Sequence, residues 1–244
     1  MTAMATVSII IPVLNEANNL PLLLDNINKL NPNPQQVILV DGGSNDDSIG
    51  IIRSFINELM LDSDRKVDWQ MTESKAGRAL QMNAGAALAT GEVLLFLHAD
   101  TQLPINAIES VSEAMKRAEW GHFDVQIASR QPTLRLVSQM INWRSRLSGI
   151  ATGDQAIFIS QSLFKQIGGY PNQALMEDVE LCKQLKGKQL KGIAKPACLK
   201  SKVITSARRW QQHGTWRTII LMWHLRFDYW RGVSADNIKA RYYK

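Results

Sequence analysis

Apolar residues run unbroken from Val93 to Leu97 and stop at His98-Ala99-Asp100. Five in a row predict a strand buried on both faces. Val7 to Val13 (V-S-I-I-I-P-V), ended by Pro12, and Gln36 to Val40 read the same way. Between those two, Leu20, Leu23, Leu24, Ile27 and Leu30 recur at helical spacing, with Pro21 in the first turn and the N-P-N-P stretch Asn31 to Pro34 closing it. Ile49, Ile52, Phe55, Ile56 and Leu59 mark a second helix, which Ser44, Asn45 or Asp46 is placed to cap. Val67 to Met71 predicts a third strand, and the small-residue segment Ala79 to Ala89 a helix that packs closely on a sheet. The order as far as Asp100 is β-α-β-α-β-α-β, which predicts a parallel sheet.

Beyond Pro104 the pattern predicts a helix over Ile105 to Ala118, a strand over Phe123 to Ala128 and a helix over Leu134 to Leu147 carrying Arg135, Arg144 and Arg146. Gly153-Asp154-Gln155 precedes a short strand, Ala156 to Ile159, and Met176 to Leu181 opens a further helix. Near the end, Trp216, Ile219, Ile220, Trp223, Phe227 and Trp230 fall on one helical face, with Arg217, Arg226 and Arg231 elsewhere on it. That face either docks on the sheet as core or lies on an anionic membrane. The expected division is an α/β domain over 1–205 and a basic, aromatic helical extension over 206–244.

Charge sharpens this division. Residues 1–182 carry 13 Lys+Arg against 20 Asp+Glu, and residues 183–244 carry 15 against 2, so a balance of −7 and one of +13 make up the net +6. A basic tail suits phosphate-bearing ligands or an anionic surface. Nothing else favours nucleic acid, and no nucleic-acid partner is expected. No segment approaches the roughly 18 unbroken apolar residues of a membrane span, and Met1 to Thr6 lacks the regions of a signal peptide. Cys182 and Cys198 are expected as free thiols in a reducing cytosol, with peripheral attachment at the inner membrane face as a further option.

A buried parallel strand ending in His98 and Asp100 delivers two ligands to the carboxyl edge of a sheet, where open α/β sheets bind substrates. Asp41 follows the second strand beside Gly42-Gly43, and Glu177-Asp178 opens a later helix, with Lys75, Arg78, Arg208 and Arg209 as the basic set. Each alone has an ordinary reading as a turn, cap or solvated residue. Together they suit a nucleotide-diphosphate donor. A divalent ion, Mn²⁺ or Mg²⁺, prefers oxygen ligands and neutralises a diphosphate leaving group. Arginine forks match phosphate, and a separate carboxylate takes the proton of an incoming hydroxyl. There is no G-x-G-x-x-G and no G-K-[ST], so neither a dinucleotide fold nor a P-loop is supported.

These residues carry a resemblance. Ser8 to Glu16, Val40 to Asp46 (V-D-G-G-S-N-D), Gly77 to Gly91, Leu97 to Asp100 and Gly168 to Leu181 (G-G-Y-P through E-D-V-E-L) resemble, in order and spacing, the motifs of family-2 glycosyltransferases of the GT-A fold. Within that family the chain is similar to a small soluble subgroup with G-R-A-x-Q-M-N, L-H-A-D-T and G-D-Q, labelled as associated with arsenosugar biosynthesis. The resemblance implies a mostly parallel sheet flanked by helices. It implies a nucleotide pocket with Pro12, Glu16, Asp41 and Gly43, a diphosphate met by Lys75, Arg78, Arg208 and Arg209, a metal on Asp100 with His98, and Asp178 as general base. His98 stands where the family's D-x-D motif has its first Asp. Ser206 to Trp210 only partly resembles the Q-x-x-R-W motif of processive members.

The function expected is inverting, non-processive transfer of a sugar from a nucleotide donor, with a UDP-sugar first in line, to an acceptor hydroxyl, a lipid-linked acceptor included. Two alternatives stay open. One is a nucleotidyltransferase, against which stands the missing Gly-rich basic loop after the first strand. The other is a sugar-nucleotide or membrane-surface binding protein without catalysis, for which the His98 departure speaks.

Overall fold

The computed structural model describes residues 4–61, 67–186 and 195–242. Its framework is one sheet in the order β3-β2-β1-β4-β7-β6-β8-β5. The first half alternates as the sequence predicts: β1 (Val7–Val13), α1 (Leu20–Asn28), β2 (Gln36–Asp41), α2 (Ser48–Met60), β3 (Asp68–Glu73), α3 (Arg78–Leu88), β4 (Val93–Phe96). β1 pairs in parallel with β2 and β4, and β2 with β3. Every residue of β1, β2 and β4 is buried. Alternation sends Ile9 and Ile11 into the core layer under α1, α2 and α4, and sends Ile10 with Ile38 and Val40 to the layer under α3. α3 lies unusually close: a Cβ on Gly85 would stand 2.6 Å from Ile10 Cγ2.

The second half is mixed. It runs β5 (Thr101–Gln102), α4 (Ala107–Met115), β6 (Trp120–Ile127), α5 (Pro132–Ser148), a 3-10 turn at Gly153–Gln155, β7 (Phe158–Ser160), α6 (Gln161–Gln166), α7 (Glu177–Lys186) and β8 (Ala197–Thr205). β7 is antiparallel to β4 and β6, and β8 is parallel to β6 and antiparallel to β5. The sheet is therefore parallel through β3-β2-β1-β4 and mixed beyond. Helices α8 (Arg208–His213), α9 (Thr215–Trp230) and α10 (Ala235–Tyr242) follow.

Three readings of local detail change. The helix expected from Ile105 begins at Ala107, because Ile105 gives its carbonyl to the Asn31 N–H at 2.9 Å. The N-cap of α2 is Asp47, while Asp46 takes the Ser48 N–H at 3.0 Å. β8 was not foreseen: Lys200, Lys202 and Ile204 all face outward, which hides an alternating strand inside a basic stretch.

The aromatic face of α9 is not core. Trp216, Ile220, Trp223, Phe227 and Trp230 are 52–79% exposed, while Thr218 and Leu225 point inward, Leu225 against Leu175 and Ile238. α5 shows a second such face in Leu136, Met140, Trp143 and Leu147. Ile219 of α9 packs with Ile141 of α5 in one cluster, so the two helices are neighbours. No helix among the described residues is long and apolar enough to cross a membrane.

Candidate active site

Two loops at the carboxyl edge of β1 and β2 are laced together by short polar side chains. The Asn15 N–H donates to Ser44 Oγ at 3.0 Å, the Asn45 N–H to Asn15 Oδ1 at 2.7 Å, and the Glu16 N–H to Ser48 Oγ at 2.9 Å. The Asp41 carboxylate is buried and accepts the Gly43 N–H at 2.7 Å and the Ser44 N–H at 3.0 Å. Its present role is to hold the turn in which Gly43 adopts φ +90°. Gln81 braces the same edge from α3, donating to Val13 O at 2.7 Å and Val40 O at 2.8 Å. Pro12 is buried at this edge, Gly43 is exposed, and Glu16 lies half-buried between the two loops.

The unforeseen β8 completes the edge. Thr101 bonds Thr205 through their hydroxyls at 3.1 Å, and the Ser206 N–H donates to Asp100 O at 3.1 Å. That pairing carries Arg208 across to Glu16, with Nη2 3.5 Å from Oε2. Arg208 therefore sits beside Glu16 at the carboxyl edge of the sheet. Arg209 stacks on Tyr242, its guanidinium carbon 3.6 Å from the ring centre, and its charge also acts on Asp154. Lys75 and Arg78 are exposed at the start of α3.

A third group of residues meets at the 3-10 turn. His98 Nδ1 lies 3.1 Å from Asp154 Oδ1. The Gly153 N–H donates to Asp178 Oδ2 at 2.7 Å, and the Val179 N–H to Asp178 Oδ1 at 2.7 Å. Gln155 is fully buried and anchors the turn, donating to Ser145 Oγ at 2.9 Å and Phe123 O at 3.2 Å, while it closes a capping box with Thr152. Only glycine fits at 153, since a Cβ there would stand 2.3 Å from His98 Nε2. Burial works against a protonated His98, but the Asp154 hydrogen bond and the charges of Asp154 and Asp100 outweigh it and raise its pKa. Desolvation works against the charge on Asp154 only in part, since its side chain is 54% exposed, and the His98 partner lowers its pKa. Glu177, buried beside Asp178, is pushed up by desolvation and then by its neighbour's charge.

The structure brings His98, Asp100 and Asp178 to one place, and Gly153, Asp154 and Gln155, which the sequence reading did not include in the site, organise them. G-D-Q was visible as a motif and taken as the lead into a strand. Met176 and Ala156, non-glycine residues at φ +65° and +45°, flank the group and mark backbone fixed against its own preference.

The donor set limits what metal it can hold. Asp100 offers a hard oxygen and accepts a long side-chain hydrogen bond of 3.4 Å from Thr101. His98 has Nδ1 committed to Asp154. No cluster of three or more His, Cys, Asp or Glu able to hold a metal occurs among the described residues. The set fits an ion that arrives with phosphate oxygens as further ligands, rather than one held by protein alone.

Fold and edge together have the form of the GT-A class. The glycosyl transferase family 2 profile matches residues 8–170, and the chain belongs to that family, the glycosyltransferase assignment its motifs predict. It is 32% identical over 156 residues to an undecaprenyl-phosphate 4-deoxy-4-formamido-L-arabinose transferase of Yersinia enterocolitica, covering 61% of this chain and 46% of that protein. The chain thus spans about half the length of that curated relative. Among solved structures, Staphylococcus aureus TarS 1-349 in complex with UDP-GlcNAc superposes with TM-score 0.61 at 16% identity, over 82% of this chain and 58% of that one. The Pyrobaculum calidifontis mannosyltransferase PcManGT, in complex with GDP-Man and Mn²⁺, superposes with TM-score 0.59 at 19% identity, over 83% and 57%. The family match ends before Glu177-Asp178, so the base assignment rests on the motif and the geometry.

Proposed function

We propose that this chain transfers a sugar, with inversion and one residue at a time, from a nucleoside diphosphate donor to an acceptor hydroxyl. The observation that carries the reading is the Asp178 carboxylate, fixed by two backbone N–H groups at 2.7 Å beside the His98–Asp154 pair. A base clamped in this way is oriented before substrate arrives, and one base suffices for a single in-line displacement. Asp41 and the Gly43 turn receive the nucleotide base, Pro12 and Glu16 line its pocket, and Arg208, Lys75 and Arg78 face the diphosphate. A divalent ion bound with the donor at Asp100 would supply charge neutralisation on the leaving group. A UDP-sugar is the first donor to try, supported by the UDP-GlcNAc complex of TarS; the GDP-Man and Mn²⁺ complex of PcManGT supports the class of donor and metal.

The acceptor reading is lipid-linked, supported by the undecaprenyl-phosphate transferase relative and by the exposed apolar face of α9. That face suits the interfacial region of an anionic membrane, with basic residues around it. In liposome flotation, the full chain should float with anionic vesicles and a chain ending at Gly214 should not. Equal behaviour of the two would remove α9 from the membrane.

Calorimetry of UDP binding with Mn²⁺, with Mg²⁺ and with EDTA tests the donor site. Binding that needs the metal and is lost in Asp100→Ala is expected. Absence of UDP binding under all three conditions would overturn the UDP donor and favour a binding protein without catalysis. Asp178→Asn should lower transfer by about 10²–10⁴-fold; near-normal transfer would overturn the base.

A further inference from the structure

Two arginines from different helices stand beside Asp178 with no assigned purpose. Arg144 of α5 has Nε and Nη2 buried without a hydrogen-bond partner among the described residues. Hydrogen bonds fix its helix against the one that carries the base. Ser145, next to Arg144, accepts from Gln155, which anchors the turn whose Gly153 N–H donates to Asp178. Cys182 donates to Ala151 O at 3.8 Å, and Lys186 donates to Ser148 O. The chain leaving α5 therefore runs antiparallel along α7, through Ser148, Ala151 and Gly153. From the other side, Tyr229 of α9 donates to Glu180 Oε2 of α7 at 2.7 Å, and Arg226 lies one turn before it. Asp178 and Cys182, one turn apart on α7, act on both arginines. Desolvation lowers the Arg144 pKa to about 10, with repulsion from Arg226 next, and desolvation lowers Arg226 too. Two like charges held together, one with orphaned donors, are costly to fold and call for an anion between them.

The charge count says what kind of anion fits. Asp178 offsets one of the two guanidiniums, and Asp154 is already paired with His98. A monoanion therefore completes the set, whereas a dianion would leave a surplus negative charge repelling the base. A carboxylate is such a monoanion, and its two oxygens match the planar guanidinium fork. The neighbour of the pair is a base that takes the proton of a hydroxyl, so the same molecule must carry a hydroxyl as well. Resting on the transferase reading above, we propose that the acceptor's reacting head is a hydroxy acid, its carboxylate seated on Arg144 and Arg226 and its hydroxyl turned to Asp178. The hydroxyl oxygen forms the new bond to the anomeric carbon, its proton goes to Asp178, and the nucleoside diphosphate leaves with the bonding pair. The arginines hold the carboxylate as a spectator, so the product is an ether-type glycoside and not an acyl ester. These residues recognise the head group, so the test uses heads without lipid.

The test is ligand-observed NMR titration of the full chain with D-glycerate and D-gluconate as hydroxy acids, glycerol and sorbitol as their neutral counterparts, propionate as a carboxylate without a hydroxyl, and glycerol 3-phosphate as a dianion. At least one hydroxy acid should bind about tenfold more tightly than its neutral counterpart, than propionate and than glycerol 3-phosphate. Arg144→Gln and Arg226→Gln should each weaken that binding about tenfold and leave the UDP Kd, followed by calorimetry, unchanged. Arg226→Lys, which keeps the charge and loses the fork, should fall between. Arg144→Met should lose the hydroxy acid with an unchanged or higher Tm, since it removes a buried unpaired charge. The proposal is overturned if neither hydroxy acid binds better than its neutral counterpart, if glycerol 3-phosphate binds best, or if both Gln variants bind normally. Parallel weakening of UDP would also overturn it, by giving the arginines to the donor diphosphate, as would a fall in Tm with Arg144→Met, by making the side chain structural. Failure of UDP to bind the wild-type chain would count against the donor site alone, because the hydroxy-acid arms do not use it.

Discussion

Replacing Gly153 by alanine tests the organisation of the site with a single methyl group. Its Cβ would stand 2.3 Å from His98 Nε2 and 2.4 Å from Cε1, where ordinary contact begins at 3.4 Å. The imidazole must retreat by about 1 Å to regain normal contact. Its 3.1 Å bond to Asp154 cannot stretch so far and survive. Overpacking and loss of a charge-assisted hydrogen bond together cost about 2–4 kcal/mol, which lowers Tm by roughly 5–15 °C in a chain of this size. The sharper signature is the His98 titration, followed by the ring Cε1–H resonance and assigned with His98→Gln. In the native chain its midpoint lies above 6.5, because Asp154 offsets burial. With Asp154 lost and burial kept, the midpoint should drop below 6.5. A Gly153→Ala protein with an unchanged His98 midpoint and Tm would refute the idea that this turn is closed on the imidazole.

Other predictions follow from single contacts. The raised pKa of His98 means its pair with Asp154 stabilises the fold fully below pH 6.5, and that stability is lost as pH rises through the folded value; Asp154→Asn should abolish this slope in urea titrations at pH 6–9. Because the folded pKa of Asp154 is lowered, its own contribution is present above about pH 3.8 and disappears as pH falls through the lowered value. Gln81→Leu removes two buried hydrogen bonds, one to Val40 O and one to Val13 O, which keeps the Gly42 N–H, and should cost about 1–3 kcal/mol by urea denaturation, with a change under about 0.5 overturning its bracing role. Burial pushes the Cys182 thiol up to about 12, so a native-state thiol reagent should modify Cys198 first and reach Cys182 only in denaturant.

Much of this molecule was legible in its order of residues, for a physical reason. Strands β1, β2 and β4 are buried on both faces, so their apolar runs have no competing explanation, and the His98 to Asp100 stop marks the sheet edge directly. β8 was not legible because its outward positions are lysines, so a half-exposed strand read as a charged tail. The G-D-Q turn hid for a different reason: Gln155 and Asp154 act on residues far away in sequence, and three residues carry no period. The face of α9 was correctly grouped, but its partner could not be read, because an apolar stripe has the same pattern whether it meets a sheet or solvent. Arg144 and Arg226 looked like ordinary helix-surface cations until the fold enclosed them.

The placement of β8 sets an order for assembly during synthesis. The parallel strands β1 to β4 are complete once Phe96 has emerged, and their contacts are close in sequence by the standard of this fold. Thr101–Gln102, by contrast, pairs with Thr205 and Ile204, a hundred residues later. On a ribosome that releases about 5–20 residues each second, the segment beside Asp100 waits several seconds for its partner strand. The nascent chain can therefore bury its central core early while the carboxyl edge beside Asp100 stays open. Closure of that edge comes last, when the basic segment leaves the tunnel and brings Arg208 to Glu16.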